Sequence, residues 1–169
     1  MPAMTPVAAV AKGLVAGVVG TIAMDLSLFA RYKRGGGEDR FVPWETSAGL
    51  RDWEQAPAPA HVGKRLFEGL FQRELPASSV PLVNNVMHWG YGVLNAVPYA
   101  LVAGSVGHPR VRDGLPFGAA VWLSGYVILP AAKLYKPIWE YDPKTLADDL
   151  ASHLVYGLTT AATFKALSS

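Results

Sequence analysis

Four apolar stretches, at residues 7–30, 80–106, 114–132 and 146–167, constrain this 169-residue chain more than any other feature. Crossing a bilayer takes about 20 mostly apolar residues at ~1.5 Å each, and all four stretches have that length. Charge avoids them: residues 31–74 hold 15 of the 28 charged side chains. Charged residues are 17% of the whole, below the roughly 25% of soluble proteins. A soluble domain needs charge on the outer face of every element, so the segregation points to two solvents. The expected fold is all-α, a four-helix transmembrane bundle forming a single membrane domain over residues 1–169.

The polar residues inside the stretches sharpen this expectation. Lys12 and Asp25 interrupt the first, the second and third are uncharged, and the fourth carries Asp148, Asp149, His153 and Lys165. Against lipid such groups are expensive, so they must face inward or sit at an interface. Lys12 lies within the first apolar run instead of ahead of it, which predicts a retained helix and not a cleaved leader. Gly and Pro inside the stretches are tolerated in a membrane, where neighbouring helices satisfy the freed backbone groups. Gly13-x-x-x-Gly17 and Gly114-x-x-x-Gly118 are small-residue spacings that let helix backbones approach closely.

The chain reads as an internal duplication. One half runs Gly13-x-x-x-Gly17, Tyr32-Lys33, Trp44-Glu45, His88-Trp89-Gly90-Tyr91-Gly92. The other runs Gly114-x-x-x-Gly118, Tyr135-Lys136, Trp139-Glu140, His153-Leu154-Val155-Tyr156-Gly157. Four landmarks recur in one order, as a repeat unit requires. Each unit, about 7–106 and about 113–167, is then a helical hairpin. Two spans return the chain to its starting side, so the units are parallel repeats and not inverted ones. In the first long loop, Val62, Leu66, Phe67, Leu70 and Phe71 share a helical face over 60–75, which predicts an amphipathic interfacial helix. Packing on its own bundle would produce the same pattern.

Orientation follows from Lys and Arg. Eleven lie in or beside the loops within the repeats, and four lie at the termini and middle link. Positive residues favour the cytoplasm, so loops 31–79 and 133–145 are expected there, in a cytoplasmic inner membrane.

Hairpin topology then brings polar groups to one depth. Asp25 lies about one and a half turns before Arg31, and His88 about two turns after Pro81. His153 has a similar depth in the fourth stretch, with Asp149 one turn before it on the same face. Tyr91 and Tyr156 share the faces of their histidines. Asp25, His88, Tyr91, Asp149, His153 and Tyr156 therefore form a candidate polar cluster. It is open to three readings: bonds that lock the bundle, a proton or ion path, or nitrogen and oxygen ligands for a divalent metal. Trp44 and Trp139 read as interfacial anchors, and Glu45 and Glu140 beside them as solvated or salt-bridged.

Several classes drop out. Without cysteine there is no disulfide, thiolate zinc site, iron–sulfur cluster or thiol nucleophile. A net charge of +2, scattered along the chain, gives no footprint for nucleic acid. No phosphate-cradling loop or Ser nucleophile motif is present, so no reaction is predicted and no cofactor is required. The expected partners are the lipid bilayer and, through the Gly-rich faces, a second copy or a membrane complex.

The second and fourth stretches, with His88-Trp89-Gly90-Tyr91 and with Trp139-Glu140-Tyr141 leading to His153, resemble the YagU-like bacterial inner-membrane proteins. Gly114-Leu115-x-x-Gly118-Ala119 in the third fits the same pattern. The resemblance implies a bacterial cytoplasmic-membrane protein of undefined biochemical role. It supports the architecture and adds no mechanism.

Overall fold

The computed structural model describes residues 4–169, and among them every regular element is helical. There are six α-helices: α1 (Pro6–Arg34), α2 (Phe41–Glu45), α3 (Ala58–Phe71), α4 (Val80–Val106), α5 (Gly114–Ala131) and α6 (Pro143–Ser168). The four long ones fall on the four apolar stretches. Pro6–Arg34 and Val111–Ala131, the latter including the turn that leads into α5, are long and apolar enough to cross a membrane.

Local sequence sets these boundaries. Thr5 caps α1 by accepting from the Ala8 amide at 3.2 Å, and Pro6 occupies the first turn. A Pro there loses no hydrogen bond, because that amide has no partner within the helix. Arg31, Lys33 and Arg34 close the helix, where the macrodipole favours positive charge. The chain then turns through Gly36 at φ +90°. Helix α4 ends at Gly107 with φ +75°, a left-handed conformation that glycine adopts without steric cost. Asp142 caps α6 by accepting from the Thr145 amide at 2.9 Å.

The long helices pack in the order α4, α1, α6, α5. The G-x-x-x-G spacings lie at two of these seams. A β-carbon at Gly13 or Gly17 would overlap Ala100, Ala96 and the backbone of Val93 on α4. One at Gly114 or Gly118 would overlap the backbone of Gly157, Leu158 and His153 on α6. Both Gly faces are thus occupied within the chain.

The register differs between the two seams. Gly17 meets Val93, five residues beyond His88, and Gly114 meets Leu158, five residues beyond His153. The partner of Val93 is therefore the second glycine of its motif, and the partner of Leu158 the first. One hairpin is slid by about one turn relative to the other.

Size is distributed unusually. Most buried hydrophobic residues are alanines, among them Ala9, Ala16, Ala96, Ala100 and Ala103, beside the seam glycines; the larger ones are Val80, Val121, Tyr126, Tyr156 and Phe164. Val15, Val18, Val19, Ile22, Leu26, Leu82, Val86, Leu94, Val102, Leu123, Val127 and Ile128 all point outward. Soluble interiors hold the large aliphatic residues; here the seams hold small ones.

Helix α3 covers most of the stretch of the first loop expected to be an amphipathic helix. It packs on α4 through Ala60 and Gly63, the latter against Val83 and Met87. Leu66, Leu70 and Phe71 remain exposed. Its neighbouring loop is pinned where Trp53 Nε1 donates to the Leu75 carbonyl at 3.1 Å and the Leu75 amide donates to Glu68 at 2.9 Å.

Candidate polar site at one end of the bundle

The end of α1, the start of α4 and the short helix α2 converge on one group of side chains. Asp25 lies on the buried face of α1 at 2% exposure. Its Oδ1 is 2.9 Å from Nε2 of His88 on α4. Its Oδ2 is buried and receives no hydrogen bond from the protein. Glu45, the last residue of α2, completes the group: Asp25, Glu45 and His88 each place a ligand-type atom within 4.8 Å of the others.

Glu45 is held there by α4. Trp89 Nε1 donates to Glu45 Oε1 at 3.0 Å. One turn earlier Asn85 donates to the Thr46 carbonyl at 2.9 Å, and Asn84 to Ser47 Oγ at 3.0 Å. Ser47 takes a left-handed φ of 51°, which turns the chain back after the glutamate. From the α1 side, Trp44 packs against Phe29 and Tyr32 with ring centroids 5.3 and 5.8 Å away. Burial pushes the Glu45 carboxyl above its ordinary value, and the Asp25 carboxylate adds to the shift. Both effects disfavour the second negative charge.

The second hairpin builds something different. His153 Nδ1 lies 2.9 Å from the Asp149 carbonyl in its own helix. A carbonyl only accepts, so Nδ1 carries the proton. Asp149 accepts from Tyr126 on α5 at 3.0 Å. Tyr126 stands eight residues beyond Gly118, as Asp25 stands eight beyond Gly17. Tyr126 thus meets Asp149, whereas Asp25 meets His88.

Each expected residue can now be placed. Asp25 and His88 are paired, and so are Asp149 and His153, with no hydrogen bond between the pairs among the described residues. Tyr156 is 2% exposed and donates to the Gly92 carbonyl of α4 at 2.5 Å, bonding one hairpin to the other. Tyr91, 45% exposed, meets Ser124 Oγ of α5 at 2.7 Å. Arg31 donates to Ser152 Oγ at 2.9 Å, so the exit of α1 lies level with the residue before His153. Trp139 and Glu140 are exposed. Trp44 and Glu45 are partly buried. Sequence reasoning named Glu45 only beside Trp44 at the membrane boundary and not with Asp25 and His88. The available signal was Asn84-Asn85 beside His88, whose amides need acceptors and find them on the Glu45 loop.

A second concavity opens beside this site. Arg31, Tyr126, Tyr135, Tyr141, Asp148 and Asp149 line a cleft of about 480 Å³. The three tyrosine rings lie 5.2–6.1 Å apart.

Comparison with curated proteins and with solved structures finds no match. A family profile does match, over residues 71–162. It takes in α4, α5 and most of α6, with His88, Asp149 and His153, and leaves Asp25 and Glu45 outside. Since the match covers more than half of the sequence, the chain belongs to the family described as "Protein of unknown function (DUF1440)".

Proposed function

We propose that this chain is a small multi-pass protein of the bacterial cytoplasmic membrane. In this reading α1, α4, α5 and α6 all cross the bilayer as two parallel hairpins, and the protein acts as a structural or assembly component. The observation that carries it is the inverted size distribution: large aliphatic side chains outside, Ala and Gly at the seams. In water, exposing so many Val, Leu and Ile residues costs roughly 25 cal/mol per Å². In lipid it costs nothing, and association then relies on the close packing that small residues permit.

Further support comes from the cross-hairpin bond of Tyr156 to Gly92 and the paired Gly seams, which fit duplicated hairpins locked together. The Lys and Arg count favours loops 31–79 and 133–145 on the cytoplasmic side, as the resemblance to YagU-like inner-membrane proteins would imply. An ion path across the bilayer has less behind it. The His–Asp pairs gather at the end where α1 exits, and Ala9, Ala100, Ala103 and Phe164 fill the other end.

Alkaline carbonate extraction of membranes tests the reading, with reporter fusions after residues 50 and 109 to read sidedness. The protein is expected to stay in the pellet, with the two fusions reporting opposite sides. A soluble monomer recovered without detergent would refute it.

A further inference from the structure

The geometry points to a binding site for one first-row divalent transition-metal ion, formed by Asp25 of α1, Glu45 of α2 and His88 of α4. This inference stands apart from the number of membrane spans.

Three observations carry it. First, two carboxylates and an imidazole from three separate elements converge within 4.8 Å. Two carboxylates gathered out of water repel, and a dication between them reverses the sign of that interaction. Second, Asp25 is 2% exposed and its Oδ2 accepts no hydrogen bond. Leaving a buried carboxylate oxygen unpaired carries a full desolvation penalty, which a metal bond removes. Third, the Glu45 ligand is positioned by groups that are not themselves ligands. Trp89 donates to its carboxylate, and Asn84 and Asn85 fasten the two residues after it. Outer-shell bonds of this kind orient metal ligands.

The donor set narrows the ion. One imidazole nitrogen with two carboxylate oxygens suits zinc, manganese, iron or cobalt, whereas magnesium and calcium prefer oxygen alone. Ligand atoms bonded to one tetrahedral ion at about 2.0–2.2 Å stand about 3.4 Å apart. Asp25 Oδ1 and His88 Nε2 stand 2.9 Å apart in a hydrogen bond, so an ion replaces that bond and parts the two atoms by about half an ångström, while Glu45 swings in from within 4.8 Å. Three protein ligands leave a coordination position open. Among the described residues Asp149 and His153 gather no third ligand-type group; Asp149 Oδ2 accepts from Tyr126, and His153 Nδ1 is turned to the Asp149 carbonyl.

The test uses full-length, tag-free protein in detergent, stripped with chelator and reloaded with Zn²⁺, Mn²⁺ or Co²⁺. Mg²⁺ serves as the control. Bound metal is measured by elemental analysis after desalting, and the cobalt form by its visible absorption. One equivalent per chain is expected for a transition ion, and none for Mg²⁺. Glu45→Gln, which alters only the end of a short outer helix, should lose the bound equivalent while keeping the thermal melt of the metal-free protein. Trp89→Phe keeps all three ligands and should weaken binding about 10–100-fold. Asp149→Asn and His153→Gln should leave binding unchanged. Absence of a bound transition ion in the wild type would overturn the assignment. So would binding that survives Glu45→Gln or disappears with His153→Gln.

Discussion

Replacing Gly114 with alanine places a β-carbon inside the space already held by the Gly157 carbonyl and the Leu158 Cα. Two effects of opposite sign compete. Gly→Ala within a helix favours folding by up to about 1 kcal/mol through backbone entropy. Overpacking a closed interface costs typically about 1–3 kcal/mol. At Gly114 the obstructing atoms are backbone, which cannot rotate away, so the helices must separate and the cost lies at the upper end. A net loss of about 1–2 kcal/mol is expected, or a melting temperature roughly 2–8 °C lower for a chain of this size. Gly13 offers the informative contrast. Its β-carbon would meet the Ala100 methyl first, so Gly13→Ala combined with Ala100→Gly should recover most of the loss. No single substitution on α6 can rescue Gly114→Ala. Gly90, with no heavy atom within 4 Å of its β-carbon position, is the control and should tolerate alanine or gain stability. Thermal melts in one detergent compare all four variants. The seam argument fails if Gly114→Ala is as stable as wild type, or if Gly90→Ala is the more damaging change.

Tyr156→Phe removes the bond to the Gly92 carbonyl and should cost about 0.5–1.5 kcal/mol in the same melts. Tyr91→Phe should cost less, because Tyr91 is half exposed and Ser124 keeps its own bond to the Val121 carbonyl at 2.7 Å. The Glu68 carboxyl is held below its ordinary value by the Lys64 ammonium and then by the Leu75 amide. A depressed carboxyl stabilises above its unfolded value, and that contribution is lost as pH falls through the folded one. Hydrogen exchange at the Leu75 amide, corrected for intrinsic rate, should therefore accelerate below that point. In Glu68→Gln the opening equilibrium should be flat across the same range.

Much of the fold was legible because its signals are local. Thr5 and Asp142 as caps, Pro at the first turns, Gly36 and Gly107 at left-handed positions and the length of the apolar runs act within a few residues of one another. They fixed where the long helices begin and end. The G-x-x-x-G spacings likewise announced close approach, since only a missing side chain permits it. The sequence did not say what would approach: in the structure each Gly face meets a helix of its own hairpin.

The candidate site was half legible. The Asp25–His88 pair follows from hairpin geometry, since antiparallel helices joined at one end bring residues near that end to one depth. Glu45 does not. Its contacts to Trp89 and Asp25 span 44 and 20 positions of chain, and they depend on how α2 folds back across the mouth of the hairpin. The Trp-Glu pair at Trp139 and Glu140 is exposed although its letters are the same. By itself the sequence determined helicity, helix ends and the small-residue seams, because propensity and sterics operate at short range. Only the tertiary structure decided the one-turn slide between hairpins. That slide depends on which side chains interlock across each seam, and it gathers Asp25, Glu45 and His88 at one hairpin while giving Asp149 a tyrosine at the other.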